Sequence, residues 1–276
     1  MNVWFAAGVI AGSVAFMVAL MLLIRTRFAP EGGHFRDSDR ASGVFGFAGA
    51  GFAILLGFVV LLSYGRYADA KSHAADEATA VFEQYEVAAL FQPQAKRDRL
   101  WGQLVCYSRA VVGDEWPAMK HGGHSELVDT WIERMEAEVP YAEIATRAEE
   151  TAFSQWFDKA SDRDNARRQR LLEANGGLPA LLWIMLVLAA VSCVAFVLLY
   201  ADPSERALGQ AVFVGSVAAV IVSSLLAVAL LSSPFQGGHG SVAPTDMRYT
   251  LKLVEAEAAT LHDPLATPCD ARGAAT

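Results

Sequence analysis

The chain has 276 residues, 22 basic and 30 acidic side chains, a formal net charge of -8, 54% hydrophobic residues and a mean hydropathy of +0.30. That composition is too apolar for a disordered chain or an ordinary soluble domain, and an acidic balance without a basic tail excludes the electrostatics of nucleic-acid binding. Three cysteines, Cys106, Cys193 and Cys269, are too few for a disulfide framework and lack the CxxC spacing of zinc or thiol-redox sites.

Four uncharged runs organise the chain: Val3 to Ile24, Gly43 to Gly65, Leu178 to Ala201 and Ala207 to Leu231, of 22, 23, 24 and 25 residues. Each exceeds the roughly 18 apolar residues that mark a spanning helix, and at about 1.5 Å per residue each can cross a hydrocarbon core of about 30 Å. The first has neither the basic n-region nor the short h-region of a signal peptide, so it is read as a retained span. The sequence therefore predicts an all-α integral membrane protein in four parts: 1–65 with two spans and a short Arg-rich loop, 66–177 as a helical extramembrane insert, 178–231 with two further spans, and a 232–276 tail.

Four crossings put the N-terminal flank, the insert and the tail on one face. The short loops carrying Arg25, Arg27, Arg36 and Arg40, and Asp202 to Arg206, lie on the other. Applied to the first helix, the positive-inside rule makes the short loops cytoplasmic. The cluster Arg163, Arg167, Arg168 and Arg170 argues the other way, since it would suit an anionic cytoplasmic leaflet.

The insert reads as helical throughout. Ala74, Ala78, Val81, Tyr85 and Ala88 step by 4, 3, 4 and 3, with Asp76, Glu77, Glu83 and Glu86 off that stripe, and no Gly or Pro interrupts Arg66 to Gln92. Leu100, Leu104, Tyr107 and Val111 repeat the pattern, as do Leu127, Trp131 and Met135, and then Ile144, Ala148, Trp156 and Ala160 within Tyr141 to Asn175. Pro93, Gly113, Pro117, Gly122 with Gly123, and Pro140 are read as breaks, and Gly176, Gly177 and Pro179 as a stop before the third span. Trp116, followed by Pro117, is expected to end the helix that holds Leu104 and Val111 and to bury its ring against the rod. In the tail, Met247, Leu251, Val254, Ala258 and Leu261 predict an amphipathic helix starting near Thr245.

Small residues four apart let membrane helices approach closely. Gly49, Ala53 and Gly57 in the second span, and Ala211, Gly215, Ala219 and Ser223 in the fourth, are candidate packing positions, within the bundle or between subunits. No ionisable residue lies inside any span, which weighs against proton relays, ion-coupled transport and voltage sensing, while a pore needs none. The span hydroxyls of Ser63, Ser192, Ser223 and Ser224 are expected to bond their own helix carbonyls. His121 and His124 form an HxxH without the HExxH context of a zinc site, and His73 and Glu77 read as a surface i, i+4 pair. No GxSxG, Walker loop or strand-borne GxGxxG is present, so no enzyme, cofactor or metal is expected.

From Phe52 onward, FAILLGFVVLLSYGRYADAKSHAADEATAVFEQY, with Ala68, Ala70, Glu77 and Ala78, resembles the bestrophin-like family of unknown function, widespread in bacteria. Further matches follow in order: VVGDEWPAMKHG with Glu115, Trp116 and Pro117; RRQRLLEANGGLPALLW with Arg167, Arg168, Leu171, Pro179 and Trp183; and SPFQG with Pro234 and Phe235. The resemblance covers about residues 5–262. It implies four spans with a helical insert, a bacterial plasma-membrane location and, more remotely, a homo-oligomeric channel for small anions. It also implies a cytosolic insert, as in the bestrophin channels proper, opposite to what Arg25 and Arg27 suggest. No pore or calcium-ligand residue carries over. The alternative is a non-conducting membrane sensor or scaffold that binds a protein partner through its acidic insert. An acidic insert repels anions on approach unless Arg163, Arg167, Arg168 and Arg170 line the way in.

Overall fold

A computed structural model of the chain describes residues 2–27, 38–140, 146–199, 205–258 and 266–276; Arg36, Tyr141, Ile144 and Leu261 lie outside the described residues. The helices are α1 (Val3–Arg27), α2 (Ser38–Ala88), α3 (Gln94–Ala110), α4 (Trp116–Met119), α5 (Glu126–Ala137), α6 (Arg147–Asn175), α7 (Ala180–Leu199), α8 (Ala207–Leu231) and α9 (Thr245–Ala258). A π-helical turn, Val111–Glu115, joins α3 to α4. Among the described residues there is no strand, only an isolated antiparallel bridge between Cys269 and Ala275. The fold is all-α, and α1, α2, α7 and α8 are long and apolar enough to cross a membrane. The chain divides into two compact units: residues 1–66, 177–233 and 238–240, and residues 67–176, 234–237 and 241–276.

In the first unit, α1 and α8 pack along their lengths. A Cβ at Gly215 would stand 3.2 Å from Val14 Cγ1 and 3.7 Å from Val18 Cγ2, so glycine lets the two helices approach here without displacing Val14. Met21, Val197, Leu198 and Val214 close one apolar cluster, with Ala211 against it. Phe52, Val59, Leu186, Ala190, Cys193, Ile221 and Val228 close a second, from α2, α7 and α8. At the end of α1 the Arg25 guanidinium donates to the Glu205 carbonyl at 2.7 Å and to Gln210 Oε1 at 3.4 Å, tying α1 to the start of α8. As expected, the span hydroxyls turn inward on their own helices: Ser63 bonds the Val59 carbonyl, Ser192 that of Leu188, and Ser223 and Ser224 that of Val220.

The small-residue positions separate into two groups. Gly215 is buried against α1 and Ala219 is half-buried, whereas Ser223 is exposed. On α2, Ala53 and Gly57 are exposed, and a Cβ at Gly49 or Gly57 would meet nothing within 4 Å. Among the described residues, the α2 stripe makes no close contact at Gly49 or Gly57. Gly215→Leu is therefore expected to weaken the α1–α8 pair by roughly 1–3 kcal/mol through overpacking. Thermal unfolding in detergent checks it, and a melting temperature equal to the parent's would remove Gly215 as a packing site.

The second unit is built on the stripe read from the sequence: Ala74, Ala78, Val81, Tyr85 and Ala88 of α2 are all buried, with Leu100, Leu104, Tyr107 and Val111. Trp131 and Met135 of α5 join them, while Leu127 packs at the margin. Two expectations need correction. Ala148 is exposed, and the buried stripe of α6 begins at Ala152 and continues through Trp156 and Ala160. Gly113 and Pro117 do not end the helix: helical winding runs on from Gln94 to Met119 through the π-turn, where the Trp116 N–H donates to the Val111 carbonyl. Pro117 has no N–H to give the Gly113 carbonyl, so the register that lengthens here costs one fewer hydrogen bond than elsewhere. α5 is capped by Ser125, whose Oγ accepts from the Val128 N–H, and α6 by a Thr146–Glu149 capping box.

Most of the tail packs into the second unit. α9 lays Met247, Val254 and Ala258 into the core, and the Thr250 hydroxyl donates to the Ala78 carbonyl at 3.1 Å. Beyond it, residues 266–276 run along one face of α3 and the π-turn, over Gly102, Cys106, Ala110 and Gly113. A Cβ at Gly102 would stand 2.5 Å from the Ala266 carbonyl oxygen, and one at Gly113 would stand 3.3 Å from Arg272 Cα. Asp270 Oδ1 accepts from the backbone N–H groups of Arg272 and Ala274, which hold its carboxyl below the usual range. Trp131 Nε1 donates to the Gly273 carbonyl at 2.7 Å, and Cys106 and Cys269 form a disulfide with Cα atoms 5.8 Å apart.

Candidate functional site

The stripe on α6 does not stop where its apolar residues do. After Ala152, Trp156 and Ala160, the same face carries Arg163, Arg167 and Arg170, in steps of 3, 4 and 3, and all three are buried. α2 answers in kind: Glu77 and Gln84 follow Ala70, Ala74 and Val81 at helical spacing and are also buried. The two helices run antiparallel, with rungs seven residues apart on each. Arg170 pairs with Glu77, Arg163 Nη1 donates to Gln84 Oε1 at 2.9 Å, and Trp156 meets Phe91, just past α2, edge-on at 5.9 Å.

Around the Arg170 rung lies an ionic core. Its guanidinium donates through Nε to Glu77 Oε2 at 2.5 Å, and through Nη2 to Glu77 Oε1 at 3.0 Å and Glu115 Oε1 at 2.7 Å. Met119 Sδ faces Nη1, and the guanidinium stacks over the Trp116 ring at 4.8 Å. Arg167 donates to Glu115 Oε2 through Nη2 at 2.6 Å and to Asp129 Oδ1 through Nη1 at 2.6 Å. The Tyr107 hydroxyl donates to Glu77 Oε1 at 2.8 Å, and its ring lies under Arg163 at 5.0 Å. Glu77, Glu115 and Arg170 have no exposed surface, while the Asp129 side chain is 42% exposed and closes the chain of charges at the rim.

The network thus ties α2, α3, the π-turn, α5 and α6 through five buried or half-buried charges. The π-turn is what aims Glu115 inward while Trp116, the next residue, packs under Arg170. Trp116 also donates through Nε1 to the Val242 carbonyl at 3.3 Å and meets Phe235 edge-on at 5.6 Å. Burial opposes the charge on Arg170, but Glu77 and Glu115 overcome it and hold the guanidinium above its ordinary range; Arg167 is raised likewise against burial by Glu115. Burial, then the Glu77 carboxylate, push the Tyr107 phenol well above its usual value. With both guanidiniums and the phenol held above their ordinary ranges, the network is a charge-paired joint between helices.

The residues singled out in the sequence fall as follows. Glu77 is not half of a surface pair: it faces Tyr107 and Arg170, while His73 lies 4.0 Å from Asp76. Arg168 is exposed, and its neighbours Arg167 and Arg170 enter the core. Pro117 is exposed in the first turn of α4, and Pro179 is exposed immediately before α7, where its carbonyl accepts from the Leu182 and Trp183 N–H groups. Pro234 and Phe235 are buried, with the Pro234 carbonyl accepting from Val242. His121 and His124 are exposed, His124 lies 3.7 Å from Asp129, and among the described residues no cluster of His, Cys, Asp and Glu could hold a metal. Tyr107 is read from the sequence only as a position of the apolar stripe, and Gln84 and Asp129 are not marked by it; the register of Arg163, Arg167 and Arg170 with Trp156 is the signal that leads to them.

Four spanning helices joined to a helical unit with an ionic core define the class, a multi-span helical membrane protein. A family model described as the bestrophin-like domain matches residues 7–246, and the chain belongs to that family. Solved structures share the fold at low identity. A bacterial bestrophin homologue from Klebsiella pneumoniae is 11% identical with a TM-score of 0.69, covering 90% of this chain and 97% of that one. A point variant of a homologue from the same organism is 12% identical with a TM-score of 0.70, covering 91% and 99%. A third, described as a membrane protein, is 12% identical with a TM-score of 0.68, covering 90% and 97%. No curated protein matches.

Proposed function

We propose that this protein is a homo-oligomeric channel for small anions in the bacterial inner membrane. The observation that carries the reading is membership of the bestrophin-like family over residues 7–246, through both the spans and the helical unit. Two features of the protomer support assembly. The span hydroxyls are spent on their own helix carbonyls, so one copy offers an ion no polar lining among them. On α2, Ala53 and Gly57 are exposed and no described residue lies within 4 Å of a Cβ at Gly49 or Gly57, which suits close approach of a second copy. The reading is non-enzymatic and requires no cofactor; its partners are the lipid bilayer, further copies of the chain and the permeant anion.

One observation favours the second reading, a non-conducting scaffold that binds a protein partner. Arg163, Arg167 and Arg170 are withdrawn into ion pairs, so they do not offset the acidic surface that an approaching anion would meet. Halide and potassium flux from liposomes carrying purified protein separates the two. Halide flux from a sized oligomer supports the channel, and a sealed oligomer leaves the scaffold. Gly57→Leu is expected to leave the protomer folded, since nothing lies within 4 Å, while reducing assembly size in detergent. An unchanged assembly would take α2 out of the subunit contact.

A further inference from the structure

The Cys106–Cys269 bridge bears on which side of the membrane the helical unit occupies. Cys106 sits toward the C-terminal end of α3 in the glycine-bordered face over which residues 266–276 run, and Cys269 is brought to it with a Cα separation of 5.8 Å, inside the bonding range of about 4.4–6.8 Å. Both cysteines are buried, so the docked segment shields the bridge from reductant. Disulfides of this structural kind persist in oxidising compartments and are rare in the cytosol.

Two independent observations agree. α1 ends in Arg25 and Arg27 and the following loop adds Arg36 and Arg40, whereas Met1 and Asn2 at its other end carry no charged side chain. That asymmetry across the first span places the short loops in the cytosol. The opposing argument, a basic cluster at 163–170 for an anionic cytoplasmic leaflet, loses its residues: Arg163, Arg167 and Arg170 are buried against Asp164, Glu115 and Glu77, leaving Arg168 exposed. An insert longer than about 60 residues is also translocated largely regardless of its charge.

We infer that the helical unit, residues 67–176 with the tail, lies outside the cytosol, and that Cys106 and Cys269 are a modification site for envelope disulfide exchange. One of the two thiolates attacks the disulfide of an exported thiol oxidoreductase, forming a mixed disulfide. The second thiolate displaces the oxidoreductase sulfur. The pair loses two protons and two electrons to become the bridge, and the oxidoreductase leaves as its dithiol. The orientation is opposite to the one implied by resemblance to the bestrophin channels, and partners of the acidic unit are extracytoplasmic. The inference stands whether or not the protein conducts.

Two measurements on the full chain in bacteria with intact envelope oxidation test it. The first denatures cells in maleimide-polymer without reductant. Cys193, the one free cysteine, is expected to be labelled alone, and all three cysteines after reduction. In cells lacking the disulfide-forming oxidoreductase, all three are expected to react without reductant. The second fuses, after Thr276, either a phosphatase active only when exported or a fluorescent protein bright only in the cytosol. Phosphatase activity without fluorescence is expected. Three reactive thiols in oxidising cells, or a bright fluorescent fusion, overturns the inference.

Discussion

Arg170→Met is expected to destabilise the helical unit by roughly 3–5 kcal/mol, the cost of removing one partner from a buried ion pair and leaving the others uncompensated. Arg170 has no exposed surface and is the cation shared by Glu77 and Glu115. Without it, Glu115 retains Arg167, while among the described residues Glu77 retains the Tyr107 hydroxyl. Methionine fills a comparable volume over the Trp116 ring, so the loss is electrostatic more than steric. The double variant Glu77→Gln with Arg170→Met removes the stranded charge and keeps an acceptor for Tyr107. It is expected to recover most of the loss, because burial of an ion pair is close to neutral against well-packed replacements. Thermal unfolding followed by tryptophan emission reads both, with a fall of about 10 °C for the single variant. A double variant no more stable than the single would mean that the damage is packing and that the charges are not coupled.

Legibility in the sequence followed the physics of each element. The spans were plain because a bilayer tolerates only long uncharged helices, and the α2 and α3 stripes because apolar spacing is the signal of a buried face. The ionic core was hidden by the same rule: Glu77 and Arg170 were set outside the core by being charged, although each occupies a core register on its helix. Only pairing between helices 93 residues apart in sequence makes such burial affordable, and nothing local announces a partner. The stop assigned to Gly113 and Pro117 failed because a helix can lose one hydrogen bond by widening its turn. Small residues were equally two-faced. Gly215 marks a contact within the protomer and Gly57 does not, and the two have the same spacing signature. The C-terminal segment carried no periodicity at all; its place is set by gaps on another helix, at Gly102 and Gly113, and by Cys106.

That docking gives the second large effect. Gly273 adopts φ of +85°, and a Cβ there would stand 2.5 Å from the Ala110 backbone nitrogen, 2.7 Å from Ala110 Cβ and 2.7 Å from the Cys106 carbonyl oxygen. Gly273→Val meets backbone on α3, which cannot rotate aside as a flexible side chain would. It adds about 1–3 kcal/mol of left-handed strain, and lifting the segment strips Trp131 Nε1 of its acceptor, costing a further 1–3 kcal/mol or so. Gly237 isolates the strain: its φ is +81°, but the nearest atom to its Cβ position is Lys120 Cε at 3.3 Å, the movable end of a long side chain. Gly237→Ala is expected to lose only about 1–2 kcal/mol. Gly273→Val should therefore melt several degrees below Gly237→Ala, and its Cys106–Cys269 bridge should be reduced at dithiothreitol concentrations that leave the parent's intact, since the segment no longer shields the sulfurs. Equal melting temperatures with equal reduction rates would show that residues 266–276 are held by the disulfide alone, and that the glycine-lined face of α3 contributes nothing to their docking.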